Sequence, residues 1–331
     1  MSSAHETLAD VGEFGLVEAL TRRLPQGEGV VLGPGDDAAL VDVPGGQVVV
    51  STDLLVDTRH FRRDWASAHD IGRKAAAQNL SDINAMGGRT TALTVGLAAP
   101  PDLEVAWVLE LADGLAEEAG LVGASVVGGD VTRADEVMIA VTALGVCPGR
   151  LVRRSGARPG DVVAMAGRQG WAAAGLAVLA RGFRSPRVLV EAHRRPQPPY
   201  GAGAEAADLG ATAMIDVSDG LLGDLGHIAE AGGVRIDVDS GAFDVAEPLR
   251  AVGAALGADP MQFVLTGGDD HALVATFPPS TALPDHWRRI GTVTGPAADE
   301  AADDTDREPA PLVTVDGKQY EGPSTGHQHF R

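Results

Sequence analysis

The chain holds one cysteine, two lysines and few aromatic residues. A single thiol, Cys147, excludes an intramolecular disulfide and a multi-cysteine zinc site. It closes the apolar run VMIAVTALGVC, so it reads as a buried structural position and not as a nucleophile. With only Lys74 and Lys318 there is no G-x-x-x-x-G-K-[ST] phosphate loop. No H-R-D-x-x-x-x-N and D-F-G pair appears either, so protein-kinase chemistry lacks its parts. Positive charge is also short: 26 Lys and Arg against 46 Asp and Glu give a net charge of −20. That surplus argues against nucleic-acid phosphates and anionic membranes as partners, and favours cations or anions that arrive complexed with cations. No stretch approaches the ~18 apolar residues of a membrane helix. The start, MSSAHETLADVGEFG, shows no basic region ahead of an apolar run, so no signal peptide is read. The expectation is a soluble, cytoplasmic protein.

What is present suits two globular domains. The chain has 331 residues and 44% hydrophobic residues, but only 4% aromatics, so the core must be mainly Ala, Val and Leu. FGLVEALTRRL (14–24) has helical apolar spacing. QVVVSTD reads as a strand delivering Asp53 at its C-terminal end. A helix is predicted over 68–86, with Ser67 and Asp70 as a capping box and Gly87-Gly88 as its stop. Strands at 91–98, 125–130 and 137–146, the last long enough to be central, surround a helix at 103–119. The Pro-, Gly- and Arg-rich CPGRLVRRSGARPGD (147–161) marks a boundary, giving domains 1–148 and 149–331. The second half repeats the mixture: strand DVVAMAG, helix WAAAGLAVLA, strand ATAMIDV, helix LLGDLGHIAEA, strand VRIDVD. GAGAEA (201–206) resembles a dinucleotide fingerprint only superficially. It follows the Pro-rich RRPQPPYG instead of a strand, and reads as a helix start. The acidic segment 296–311 reads as a solvated surface loop. Intermixed strands and helices in both halves imply an α/β (α+β) architecture.

Asp beside Gly, Ser or Thr recurs in six places: GPGDDAAL (33–40), STDLLVD (51–57), NLSDINAMGG (79–88), GGDVT (128–132), DVSDGL (216–221) and TGGDDHAL (266–273). Any one of these makes an ordinary turn, and Asp37 and Asp270 can simply cap or face solvent. Six together call for another account. Asp53, Asp130 and Asp216 each follow an apolar β-rich run, and ligand crevices in α/β folds open at strand ends. Asn79 and Asp82, three apart on a helix, share one face. Gathered carboxylates repel each other and take up protons unless a cation intervenes. Magnesium suits an all-oxygen donor set, and joins carboxylates to substrate phosphates.

In order and wording these clusters resemble the thiamine-monophosphate kinase family of the aminoimidazole ribonucleotide synthetase-like superfamily. The resemblance runs from GEFGLV to GHQHF and includes NLSDINAMG, GGDVT, RSGARPGD and VSDGL. It implies a two-domain fold: an N-terminal sheet pairing across a homodimer, and a C-terminal α/β domain closing over the active site. It also implies ATP-dependent phosphorylation of thiamine monophosphate to thiamine diphosphate. By motif, Asp36, Ser51, Thr52, Asp53, Asp82, Asp130, Asp216 and Asp219 would hold several Mg²⁺ ions. Gly129, Asp130, Arg154 and Ser218 would contact ATP, with Asp53, Asp130 and Arg154 catalytic. His60, Asp269 and His327 would meet the substrate; without the resemblance, His60 reads as a surface residue. The family commonly has Gly-Gly-Glu-Asp-Tyr-Glu-Leu where this chain has GGDDHAL, so Asp269 is a shorter acid and His271 replaces an aromatic. His327 likewise replaces an aromatic near the C-terminus. Relatives that need a cysteine near either end, for selenophosphate synthesis or as a carbamoyl carrier, are not matched. The alternatives are a non-catalytic Mg–nucleotide sensor or another ATP-dependent enzyme of the superfamily.

Overall fold

The structure, a computed structural model, describes residues 6–32, 40–296 and 312–322. Its internal contacts divide the chain into two units: Met1–Asn84 with Gly88–Pro148, and Ala85–Gly87 with Gly149–Arg331.

In the first unit α1 (Leu8–Thr21) opens on a capping box between Thr7 and Asp10. It starts before the helix expected at 14–24, and Gly12 at φ 66° breaks its regularity. β1 (Val30–Leu32) and β2 (Leu40–Val41) form a short antiparallel pair. Then come β3 (Val49–Val56), α2 (Ala68–Ala85), β4 (Arg89–Ala99), α3 (Val105–Gly120), β5 (Ser125–Arg133) and β6 (Met138–Val146). The four longer strands make one sheet in the order β3-β6-β4-β5, so β6 is interior as its length implied. Only β4 and β5 run parallel, and α3 is the crossover that such a pair requires. The expected start of α2 is present: Asp70 N–H donates to Ser67 Oγ at 3.1 Å, and Ser67 N–H to Asp70 Oδ2 at 3.3 Å. Helices α2 and α3 touch backbone to backbone, because a Cβ on Gly72 would lie 2.1 Å from the Leu111 carbonyl oxygen. Arg73 ties them further, donating at 2.7 Å to the buried Glu118 and at 2.8 Å to Glu117.

Strand alternation gives this sheet two unlike faces. Leu55, Ile139, Val141 and Ala143 are fully buried, whereas on the other face Val50 is 54% and Leu54 46% exposed. The thiol of Cys147, just beyond β6, is half-buried and not fully enclosed, and burial pushes it up from its ordinary value.

The second unit contains β7 (Val162–Ala166), α4 (Trp171–Ala180), α5 (Arg187–Arg194), α6 (Ala202–Asp208), β8 (Ala213–Val217), α7 (Leu221–Gly232) and β9 (Val234–Val238). α8 (Glu247–Leu256), α9 (Pro260–Thr266), β10 (Ala272–Phe277), β11 (Trp287–Pro296) and β12 (Val313–Val315) complete it. The six strands order as β12-β9-β11-β7-β10-β8. All neighbours are antiparallel except β12 and β9. β7, β8 and β10 are buried along their whole length, as continuous apolar strands covered on both faces must be. GAGAEA indeed opens a helix, α6. Among the described residues no helix is long and apolar enough to cross a membrane.

Candidate active site

In the first unit β3 and α2 assemble an oxygen-rich set. Alternation along β3 turns Ser51 and Asp53 to the same face as the buried Leu55, toward α2. From α2, Asn79 Oδ1 accepts the Asp53 backbone N–H at 3.1 Å, while Asn79 Nδ2 donates to the Ala75 carbonyl at 3.1 Å. One turn further, the Asp82 carboxylate accepts from the Ser51 hydroxyl. The helical spacing of Asn79 and Asp82 thus brings both onto β3. Thr52 faces the other way, its hydroxyl 2.8 Å from that of Thr142 on β6, so its side chain does not join the Ser51–Asp82 set. Asp53 does not end its strand: β3 continues to Val56, and β5 likewise continues past Asp130 to Arg133. The reason is pairing, since β6 matches β3 residue for residue through Val56.

Asp130 sits exposed on β5, at the opposite edge of the sheet from β3. Its register row runs through Gly96, Ala140 and Leu54, whereas Asp53 shares a row with Val141, Val95 and Gly129. The structure therefore does not bring Asp130 to Asp53. Gly129 is a packing requirement, because a Cβ there would lie 2.0 Å from the Val95 carbonyl oxygen. His60 is held just after β3, its Nδ1 accepting the Val56 N–H at 3.0 Å. That bond needs an unprotonated Nδ1.

In the second unit two loops lock together. Asp216 is the penultimate residue of β8, and Ser218, Asp219 and Gly220 lead into α7. The loop before β10 docks on them: Asp269 N–H donates to the Ser218 carbonyl at 2.9 Å, and His271 N–H to that of Val217 at 3.1 Å. Gly268 is needed at this contact, since a Cβ there would meet the Ser218 carbonyl oxygen at 2.1 Å. Asp269 (φ 67°) and His271 (φ 53°) both adopt the left-handed conformation that side chains disfavour. Asp270 lies between them, fully buried, with both carboxylate oxygens 3.1 Å from the Ala172 N–H at the start of α4. Of the two readings left open for Asp270, the structure therefore selects the cap. Burial pushes its carboxyl up to about 7, against the pull of the Ala172 N–H and the Arg168 guanidinium.

Two features here escape a reading of the sequence. Asp224, in the first turn of α7, accepts the N–H groups of Asp219 and Gly220 at 3.1 Å each. Burial first, and then the charge of Asp216, raises its carboxyl to about 7. Its signal was an acid in the first turn of a predicted helix, which reaches back to orphan N–H groups. The other is the pair formed by His271 Nδ1 and Asp216 Oδ2, 3.0 Å apart and both buried. No sequence pattern announces it, because 55 residues separate the partners.

Arg154 lies exposed on a single 3₁₀ turn (Arg154–Gly156). Asp36 and His327, along with most of the acidic segment 296–311, lie outside the described residues. Among the described residues no three His, Cys, Asp or Glu groups converge closely enough to hold a metal ion. The donors that do gather are nevertheless of one chemical kind, carboxylate and hydroxyl oxygen. Asp216 and Asp219, whose charges add to the effect of burial on Asp224, form the kind of environment that a hard divalent cation relieves.

The fold and these loops define an AIR synthase related protein. Residues 35–147 match the N-terminal domain of that group and residues 158–301 its C-terminal domain. Over 333 aligned residues the chain is 48% identical to thiamine-monophosphate kinase of Mycobacterium tuberculosis, covering 100% of this chain and 95% of that one. Among solved structures, thiamine-monophosphate kinase from Stenotrophomonas maltophilia K279a superposes with a TM-score of 0.76 at 31% identity, covering 91% of this chain and 95% of that one. AaThiL complexed with AMPPCP and TMP gives a TM-score of 0.75 at 29% identity, covering 98% of this chain and 100% of the other. The chain belongs to the thiamine-monophosphate kinase family.

Proposed function

We propose that this chain phosphorylates thiamine monophosphate to thiamine diphosphate by direct, in-line transfer of the γ-phosphoryl group of ATP, assisted by Mg²⁺. The ATP-dependent kinase activity rests on the whole-length relationship to thiamine-monophosphate kinases, joined by the fold shared with a structure holding AMPPCP and TMP. The observation that carries the chemistry is the docking of the 266–273 loop on the 216–221 loop, which holds acids and backbone groups in fixed array.

The acceptor is a phosphate oxygen already ionised at neutral pH, so no strong general base is required. The obstacle is charge: two unit charges about 4 Å apart repel by roughly 4 kcal/mol at an effective dielectric of about 20. Mg²⁺, when bound, neutralises phosphate oxygens and stabilises charge on the transferring group. On the first unit Ser51, Thr52, Asp53 and Asp82 would hold Mg²⁺, and on the second Asp216 and Asp219 would hold Mg²⁺. Asp36 would hold Mg²⁺ as well, and Asp130, which lies apart from Asp53, would hold a separate ion. Gly129, Asp130, Arg154 and Ser218 contact ATP, with Arg154 neutralising phosphate charge. His60, Asp269 and His327 contact thiamine monophosphate. The exposed apolar face carrying Val50 and Leu54 suits a second copy of the chain, and supports a homodimer built on this sheet. A cytoplasmic location suits the use of ATP.

Incubation with Mg·ATP and thiamine monophosphate should yield ADP and thiamine diphosphate in equal amounts. Tight ATP binding with no thiamine diphosphate formed would overturn the assignment in favour of a nucleotide sensor.

A further inference from the structure

We infer that Asp224 is a positioning residue: its buried carboxylate fixes the Ser218–Gly220 turn, and with it the residues that meet ATP and Mg²⁺. The inference rests on the reading of Ser218 as an ATP contact and of Asp219 as a Mg²⁺ ligand.

Asp224 is 3% exposed, and its Oδ2 accepts both the Asp219 N–H and the Gly220 N–H at 3.1 Å. Its own N–H donates to the Gly220 carbonyl at 2.9 Å, so side chain and backbone close on the same residue. Gly220 is the N-cap of α7 and has no side chain with which to bond the first turn. An acid in that turn can bond the N-cap N–H, as in one half of a capping box, and a cap for the helix alone would stop there. The Asp224 carboxylate reaches one residue further, to Asp219, which lies outside the helix. It therefore secures the loop as well as the helix end.

The other side of the turn is held by backbone. The Ser218 carbonyl accepts the Asp269 N–H at 2.9 Å. Gly220 sits at φ 132°, and a Cβ on it would lie 2.5 Å from the Thr266 carbonyl oxygen. Ser218, Asp219 and Gly220 are thus gripped between the 266–269 segment and Asp224. Gripping them with a carboxylate is unfavourable in itself. Burial disfavours its charge, and the charges of Asp216 and Asp219 add to that effect. Groups so placed concentrate at functional sites, and this one holds the loop that carries Ser218 and Asp219. Without it two N–H groups lose their acceptor and the turn is left with its contacts to 266–269. A shift of about 1 Å in a ligand-positioning group can lower the rate by about a hundredfold.

The test compares wild type with Asp224→Ala, which removes the acceptor, and Asp224→Asn, whose amide oxygen can still accept both N–H groups. Hydrogen exchange of the full chain, read by mass spectrometry, follows residues 216–221. Mn²⁺ binding to the nucleotide-free protein is read by the electron paramagnetic resonance of free Mn²⁺, and Mg·ATP binding by calorimetry. In Asp224→Ala exchange over 216–221 should quicken at least about tenfold, and both affinities should fall about tenfold or more. Asp224→Asn should restore most of all three. A cap that serves stability alone would lower the urea midpoint and leave both affinities within about twofold of wild type; that result overturns the positioning role. Unchanged exchange over 216–221 in Asp224→Ala overturns the hold on the turn. Equal losses in Asp224→Asn and Asp224→Ala also overturn it, because charge and not acceptance of the N–H groups would then be responsible. If Asp224→Ala does not fold, Asp224→Ser, one bond too short to span to the turn, takes its place with the same outcomes. Asp219→Asn and Ser218→Ala test the underlying reading separately. Unchanged Mn²⁺ affinity in the first, or unchanged Mg·ATP affinity in the second, overturns that reading and the inference with it.

Discussion

Replacing Gly268 with alanine probes the contact between the 266–273 and 216–221 loops directly. A Cβ at this position would sit 2.1 Å from the Ser218 carbonyl oxygen, 3.0 Å from its carbon and 3.2 Å from the Asp219 carbonyl carbon. All three are backbone atoms, so no side chain can swing aside. To clear even 3.0 Å, a limit real Cβ atoms respect, the loops must separate by roughly 1 Å. That stretches the Asp269–Ser218 bond from 2.9 Å and the His271–Val217 bond from 3.1 Å beyond hydrogen-bonding reach. Each buried bond lost in this way costs about 1–3 kcal/mol, for a total of about 2–6 kcal/mol. Because the same shift moves Asp269 and His271 away from Ser218 and Asp216, kcat/KM should fall by about 10²-fold. Urea unfolding followed by circular dichroism, together with steady-state kinetics, reads both quantities. Gly226→Ala is the control: nothing lies within 4 Å of a Cβ at that interior position of α7, so it should stabilise by about 0.5–1 kcal/mol. A Gly268→Ala protein within about 0.5 kcal/mol of wild type and with unchanged kcat/KM would refute the argument that backbone contact here organises the site.

Three further outcomes are expected. Asp53→Asn should abolish turnover while keeping the fold, as the backbone N–H bond to Asn79 is retained; near-normal kcat at saturating Mg²⁺ would remove Asp53 from the metal set. Asp270 ionises near 3.8 in the unfolded chain and near 7 when folded, so its protonated form contributes stability that is complete below about pH 4 and lost as pH rises through about 7. Asp270→Asn keeps an acceptor for the Ala172 N–H but cannot titrate. Wild type should lose about 2 kcal/mol more than the variant between pH 5 and pH 8, and parallel urea profiles would contradict this. Finally, Leu54→Lys on the exposed sheet face should yield a monomer by light scattering, whereas an unaltered dimer would move the interface elsewhere.

The secondary structure was legible wherever apolar spacing and end signals agreed. The start of α2 at Ala68 followed from Ser67 and Asp70, the whole of α4 from its Ala-rich run, and the interior place of β6 from its length. α5, α8, α9 and β10 to β12 were not read, because short runs such as RVLVEAHR and PMQFVLT hold too few periods to declare themselves. The acids of the site were likewise visible as types and spacings. Asn79 and Asp82 share a helix face whatever surrounds the helix, because 3.6 residues complete a turn. Tertiary structure decided everything that depends on which surface meets which. It set Thr52 against Thr142 and away from Ser51, because β6 rather than another strand pairs with β3. It made Asp270 the cap of a helix nearly a hundred residues earlier and not a solvent-facing acid. It also joined His271 to Asp216 across the β8–β10 ladder. Local pattern reports what a segment can expose or bury; only strand register and loop docking determine which distant group stands opposite a given carboxylate.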